Sequence, residues 1–272
     1  MEAHRVGNET VKFIHDMVDE RPDVDASGTF ERLKAALDKA FAKVQERFAL
    51  TADPSTDAYA EYGALSGEPR GSLTGYTGPE VDWAIHSWLG SPHATFTNMH
   101  LTVWLGQHTR VPHLGVAFGT FPNPWCFLDY PARADCSIDT DYLDRYYGPL
   151  NEQWLELREH PSLRPFISRE IYVRQVLTET AVCWSAEPSD EVLSLLERLL
   201  EEHVDRWLGW VDEGHDVPEA ERAALAERDV IQRRTIAERD PANVMGDRLF
   251  GPELTQELIK GLWGGGRELP RP

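Results

Sequence analysis

Five histidines fall within residues 86 to 113 (His86, His93, His100, His108 and His113), and imidazoles so close in sequence first suggest a metal centre. The spacing argues against one. His86 and His100 belong to segments that alternate like strands, whereas His93, His108 and His113 fall in or near turns, so no shared coordination point is expected and no metal is assigned. A better-defined arrangement surrounds His100 itself. In TFTNMHLTVWLGQHTRVPHLGVAFGT, residues 95 to 120, alternation puts Met99, Leu101, Val103 and Leu105 on one face and Asn98, His100, Thr102 and Trp104 on the other. Leu114, Val116 and Phe118 continue the aliphatic face in the return strand, which leaves Gly115, Ala117 and Gly119 beside the polar row. With the turn near His108 and Thr109, His100 faces Ala117. Glycine inside a strand often marks the close approach of a ligand, so this polar, nearly bare face is expected to receive a flat molecule. A bulge or barrel corner is the bland alternative.

The elements that must hold this hairpin are legible on both sides of it. Phe30, Leu33, Leu37, Phe41, Val44 and Phe48 recur at helical spacing after Thr29, predicting an amphipathic helix over 29 to 48 with Thr29 as N-cap. Residues 51 to 80 are rich in Gly, Pro, Ser and Thr and read as loop with one short strand; VDWAIHSW, 81 to 88, alternates as a strand. WCFLDYP, 125 to 131, supplies a third strand of the meander after a PNP turn, and a helix is expected from about 140. EIYVRQVLTETAVCWS, 170 to 185, reads as two strands or one long bent strand. Val192 to Val211 carries the strongest helical pattern, capped by Ser189; Asp216 and Pro218 open another helix containing RDVIQRR, a short one covers 252 to 262, and GGGRELPRP at 264 to 272 should fray. Strands in the middle with helices before and after imply one mostly antiparallel sheet covered on both faces.

Composition narrows the function. At 272 residues and 41% hydrophobic content the chain can bury one sizeable core, and a single domain over 1 to 272 is the simplest expectation, with 1 to 50 as an amino-terminal helical segment. A formal charge of -19 disfavours nucleic-acid and anionic-membrane partners. The polar MEAHRVGNET start and the lack of a long apolar run suggest neither signal peptide nor anchor, hence a soluble cytoplasmic protein. Cys126, Cys136 and Cys183 form no CxxC pair and read as buried thiols. Walker A, GxGxxG, GxSxG and HExxH patterns are missing, which leaves nucleotide, hydrolase and metalloprotease readings without their parts.

The order of FTNMHLTVWLG, VPHLGVAFGT, CFLDYPARAD, DYLDRYY, IYVRQV and RDVIQRRTI, followed by RLFG, resembles red chlorophyll catabolite reductase of the ferredoxin-dependent bilin reductase superfamily, over most of residues 80 to 262. The resemblance implies an α/β fold, a three-layer α/β/α sandwich with a central, mostly antiparallel sheet, binding a linear tetrapyrrole between the sheet and its carboxy-terminal helices. It implies no bound flavin or metal, single electrons from reduced ferredoxin, a pigment-borne radical and protons supplied by the protein. So negative a chain would need Arg residues around the pocket mouth to dock an acidic ferredoxin.

Carried over by residue, the resemblance makes His100 a proton donor to the pigment, a task suited to a group that titrates near neutrality. Ala117 stands where related enzymes place an Asp or Glu donor, so this chain departs from the pattern there. Two acids are candidates to compensate. Asp240 lies near the position of a carboxy-terminal donor, and Asp129 comes beside Ala117 if the turn at Pro122 to Pro124 is centred on Asn123. Arg174, Arg233 and Arg234 are candidates for the pigment's propionates, although Asp229 and Arg233, four apart on one helix, also suit an ordinary solvated pair. Trp104 and Asn98 would border the pigment by stacking and hydrogen bonding. The expected function is therefore reduction of a linear tetrapyrrole. A tailoring enzyme for another conjugated metabolite, or a pigment-binding protein without turnover, stays open.

Overall fold

A computed structural model describes residues 11–12 (backbone only), 24–68, 70–90, 95–168 and 170–268. Its centre is a nine-stranded sheet in the order β2-β4-β5-β6-β7-β8-β11-β9, with β3 pairing on β4. The strands are β2 Thr51–Ala52, β3 Tyr62–Gly63, β4 Arg70–Thr77, β5 Val81–Gly90, β6 Thr97–Leu105, β7 Leu114–Thr120, β8 Pro124–Asp129, β9 Arg164–Pro165 and β11 Val182–Ser185. All pairs within this sheet are antiparallel. A separate parallel pair joins β1 Val11–Lys12 to β10 Ile167–Ser168. Helices cover both faces, so the expected α/β/α architecture holds.

One face is closed by two long helices, α1 Ser27–Arg47 and α5 Asp190–Glu213. Leu33, Leu37 and Val44 of α1 and Leu196, Leu200 and Val204 of α5 meet Met99, Leu101, Val103, Val116 and Phe118 in one buried cluster. The Ser189 cap forms as expected, its Oγ accepting from Val192 N–H at 3.2 Å. Thr29, however, lies inside α1: the helix starts two residues earlier, where Asp25 Oδ1 accepts from Ser27 N–H at 2.9 Å. The helix expected from 140 is broken into α2 Thr140–Tyr146 and α3 Asn151–Arg158, because Pro149 brings no N–H and the chain turns there through a 3₁₀ segment.

The other face is covered over β4 to β6 by α6 Glu219–Glu238, α7 Asn243–Phe250 and α8 Pro252–Trp263. Two expectations fail on this side for one reason. Residues 70 to 77 form a full strand of 8 residues where loop with one short strand is expected, since Gly75 lies beneath the Trp83 ring, where a Cβ would sit 2.4 Å from the indole. The tail is likewise anchored as far as it is described. Gly265 takes φ +57 against Ser55 and Trp83, and Arg267 caps Trp83 at 5.0 Å while binding Asp82. The segment 170 to 185 also departs from expectation: α4 Ile171–Val176 is helical and only Val182–Ser185 is strand. Tyr172 packs beneath the Arg239 guanidinium at 4.8 Å, a contact that overrides the β propensity of IYV.

Candidate active site

Cross-strand partners in an antiparallel sheet share a face, so the register defines three rows on the side away from α1 and α5. They are Leu89–Asn98–Gly119–Trp125, Ser87–His100–Ala117–Phe127 and Ile85–Thr102–Gly115–Asp129. His100 does face Ala117. Asn98, His100, Thr102, Gly115, Ala117, Trp125 and Phe127 are all half-buried, in contrast to the sealed aliphatic positions between them.

The floor is not bare throughout. Gly119 is covered, because the Trp125 indole lies across it and a Cβ there would come within 2.4 Å of that ring. Its glycine serves sheet packing rather than a hollow. At Gly115 an added Cβ would meet nothing nearer than Asp129 O at 3.4 Å, so the low ground is Gly115 and Ala117. Over the first strands the carboxy-terminal helices leave a cavity of about 90 Å³ between Asn98, His100, Ser87, Asp240, Asn243 and Met245, among apolar side chains. Within it Asn98 Oδ1 is buried with no hydrogen-bond partner, an acceptor suited to a ligand N–H. A larger cleft, about 380 Å³, opens at the opposite end of β5 and β6, beside the Thr77–Val81 turn. Its charged groups already answer one another, with Asp82 bound to Arg233 and Arg267 and Asp229 bound to Arg133. The smaller cavity differs in holding a neutral unpaired acceptor, Asn98 Oδ1, among apolar side chains, whereas the Asp229 Oδ1 left without a hydrogen bond beside the larger cleft has Arg133 and His113 near it.

Three titratable groups belong to the three-row face or its rim. Burial pushes the His100 imidazole down to about 4, so it is neutral at pH 7; Ser87 Oγ is its polar neighbour, 3.4 Å from Nδ1. Asp240 sits in the wall of the cavity at its exposed edge. Crowding by that wall raises its carboxyl above the ordinary range, against one N–H from Ala242 at 2.8 Å. Asp129 is raised to about 6 by burial, opposed by the Thr178 hydroxyl and N–H that it accepts. The β7–β8 turn is centred on Pro122, so Asp129 lies opposite Gly115 and not beside Ala117, which faces Phe127 instead. That two-residue difference keeps Asp129 on the expected face but commits its carboxyl to the chain just after α4.

Several expected ligand contacts are spent inside the protein. Trp104 pairs with Trp83 and is buried against His113, 4.4 Å between ring centres, and beneath Arg233, so it has no face for a pigment. Arg233 donates to Trp263 O and to Asp82 at 2.9 Å; Asp229 receives Arg133 at 2.7 Å. Asp229 and Arg233 are thus buried with separate partners, neither a solvated pair nor a free clamp. Burial opposes the Asp229 charge, yet His113 and Arg133 together hold the carboxyl below its ordinary value. Since His113 Nδ1 accepts from Leu105 N–H at 3.0 Å, its Nε2 carries the proton, and it lies 3.4 Å from Asp229 Oδ1 without a hydrogen bond between them. Arg174, on α4, is exposed and donates to Ser168 O at 2.8 Å. Arg234 is buried, with its Nε 4.0 Å from Glu238. The histidines are dispersed: His86 stacks on Phe41 beneath α1, His113 is under α6, and His93 lies outside the described residues. No three metal-ligating side chains converge among the described residues.

Residues 34–263 match the red chlorophyll catabolite reductase family. The chain belongs to that family. It is 26% identical over 247 residues to red chlorophyll catabolite reductase 1, chloroplastic, of Oryza sativa subsp. japonica, covering 84% of this chain and 75% of that protein. The chloroplastic Arabidopsis thaliana reductase is 26% identical over 66% of this chain and 61% of its own length. Among solved structures, tomato phytochromobilin synthase in complex with biliverdin superposes with a TM-score of 0.73 at 15% identity, covering 88% of this chain and 85% of that one, which establishes a shared fold.

This member of the red chlorophyll catabolite reductase family carries site residues that sequence reasoning passed over. Ser87 breaks the apolar alternation of VDWAIHSW, but its meeting with His100 depends on the β5–β6 register. Phe127 shares the parity of Asp129 and takes the place opposite Ala117 that a turn centred on Asn123 would give to that acid. Asn243 fixes the corner between α6 and α7, donating to Ala237 O at 2.9 Å, and so positions the Asp240 wall of the cavity.

Proposed function

We propose that this chain reduces a linear tetrapyrrole, a bilin or a red chlorophyll catabolite-like pigment, on the three-row face. Family membership supports the reaction class, and the observation that carries the site is the His100 and Asn98 edge of a cavity walled by Asp240. Reduction of one double bond takes two electrons and two protons. The electrons come one at a time from two reduced ferredoxins, with the pigment holding the intermediate radical; the two protons come from His100 and Asp240, since the Asp129 carboxyl is taken up by Thr178. Neutral in the empty site, His100 gains proton affinity when a negatively charged pigment radical lies beside it, because an adjacent negative charge favours the imidazolium. Asp240, whose carboxyl is raised by the crowding of the cavity wall at its exposed edge, is the group poised to replace the acid that Ala117 lacks. Thr102 and Gly115 border the pigment. Arg174 and Arg234 are the candidates for its carboxylates. The relatives in Oryza sativa and Arabidopsis thaliana are chloroplastic; no helix among the described residues is long and apolar enough to cross a membrane.

The test is anaerobic. Purified protein mixed with biliverdin should shift the pigment's absorption, and adding reduced ferredoxin should then bleach or further shift it. A shift on mixing with no change on reduction would leave a carrier in place of a reductase. No shift with any linear tetrapyrrole would remove the substrate class.

A further inference from the structure

Ligand sites for molecules of drug size usually occupy roughly 300 to 1,000 Å³, whereas the enclosed space at His100 is about 90 Å³. A linear tetrapyrrole cannot fit there whole. It must continue along the sheet, and among the described residues the row of His100 itself stays half-buried across Ala117 to β8, with the open Gly115 beside it. On β8 that row presents Phe127. Its ring is held from two sides, edge-to-face with Trp125 (centroids 5.6 Å, 66°) and with Phe166 (5.6 Å, 85°), while remaining partly open to solvent. Trp125 is fixed in turn by lying over Gly119. The next partner in the row, Cys183, has its thiol raised well above the ordinary value by burial, so this end of the row offers contact and no nucleophile.

We propose that Phe127, clamped between Trp125 and Phe166, is a stacking platform for one terminal ring of the tetrapyrrole, which reaches it by passing over Ala117. The proposal rests on the tetrapyrrole reading above and adds the direction in which the pigment lies. An ordered aromatic ring meets a flat conjugated partner at little entropic cost, and such pairs add appreciably to the area they bury. The small side chain at Ala117 then has a steric meaning. Cross-strand Cβ atoms on this face lie about 5 Å apart, so a long side chain at Ala117 would stand between His100 and Phe127 and block the path.

Biliverdin titrations followed by absorption, on the full chain and on Phe127→Leu, Phe127→Trp, Phe166→Leu and Ala117→Met, test this, with thermal melts to verify folding. Phe127→Leu should weaken binding about five- to tenfold and move the bound pigment's absorption band, and in turnover should raise KM more than it lowers kcat. Phe127→Trp should bind within about twofold of the parent, since it restores a ring face. Ala117→Met should weaken binding at least about tenfold. Unchanged affinity in both Phe127→Leu and Phe166→Leu overturns the platform. Should Phe127→Leu not fold, unchanged affinity in Ala117→Met overturns it instead, because the path would not cross that position. If the parent chain itself does not perturb biliverdin, the tetrapyrrole reading fails, a result distinct from variants that bind normally.

Discussion

The two faces of strands β6 to β8 are built from the same residues in alternation and end in opposite conditions. On the face toward α1 and α5, Met99, Leu101, Val103 and Phe118 are completely buried among aliphatic and aromatic neighbours. On the other, Asn98, His100, Thr102 and Ala117 are half-buried, with an orphaned acceptor and titratable groups displaced from their ordinary values. The first face is where apolar burial stabilises the sheet. The second gives up packing to keep room and polar groups for a ligand. Substitutions on the two faces should therefore separate stability from activity.

The sharpest break of this contrast is His100→Gln. Losing a positioned proton donor typically costs a rate factor of about 10² to 10⁴, so turnover of the pigment should fall by at least about 100-fold while the melting temperature barely moves. A radical species persisting in the optical spectrum after the first electron would locate the defect at protonation. Equal rates in parent and variant would remove His100 from the reaction. Leu101→Ala, one residue along on the opposite face, should do the reverse. It opens a cavity in the sealed cluster and should cost about 2 to 5 kcal/mol of stability, read from urea melts, while pigment affinity at a temperature where the protein stays folded changes little.

How much of this was legible beforehand follows from what each side chain packs against. Alternation fixes parity, and a connection centred on His108 and Thr109 fixes the register, so the His100–Ala117 partnership could be read from the residues alone. The same logic misled at Gly119 and across 70 to 77, because a glycine beneath an aromatic ring from the next strand looks, in sequence, like a glycine beneath nothing. Helix α6 defeats periodicity for a different reason. The face it buries is charged, with Asp229, Arg233 and Arg234 turned inward to partners such as Arg133 and Asp82 that are distant in the chain. No hydrophobic pattern encodes an ion pair between residues 133 and 229, and so the surface pair expected of Asp229 and Arg233 gives way to two buried residues with separate partners.

Asp129 sharpens the comparison, since it sits on the open face yet is buried. Its folded-state value, about 6, lies above the ordinary carboxyl value of 3.8. The stability associated with the protonated carboxyl is therefore fully present below about pH 4 and is lost as pH rises through 6. Asp129→Asn removes that titration. Relative to the parent, the variant should gain stability across this window, on the order of 2 to 3 kcal/mol by pH 7.5 at roughly 1.4 kcal/mol per unit. Urea melts at pH 4.5 and 7.5 measure it, and a parent–variant difference that is flat with pH would show that Thr178 and solvent already compensate the charge.

The smallest effect belongs to the outer surface of the closed face, where α1 and α5 are laced by Arg32–Glu197, Lys43–Asp205, Lys39–Glu201 and Arg47–Asp212. These contacts look like a zipper, yet every acid in them is partly or largely open to water. Exposed pairs gain little because solvent screens them and two long side chains must be held still. Lys43→Met keeps the stem that covers the helix and removes only the charge. Its melting temperature should stay within about 3 °C of the parent, and the difference should shrink further in 0.5 M salt, where the screening length is only about 4 Å. A larger loss that resisted salt would mean that the ion pairs act as a connected network, and that the closed face owes part of its rigidity to charge as well as to apolar burial.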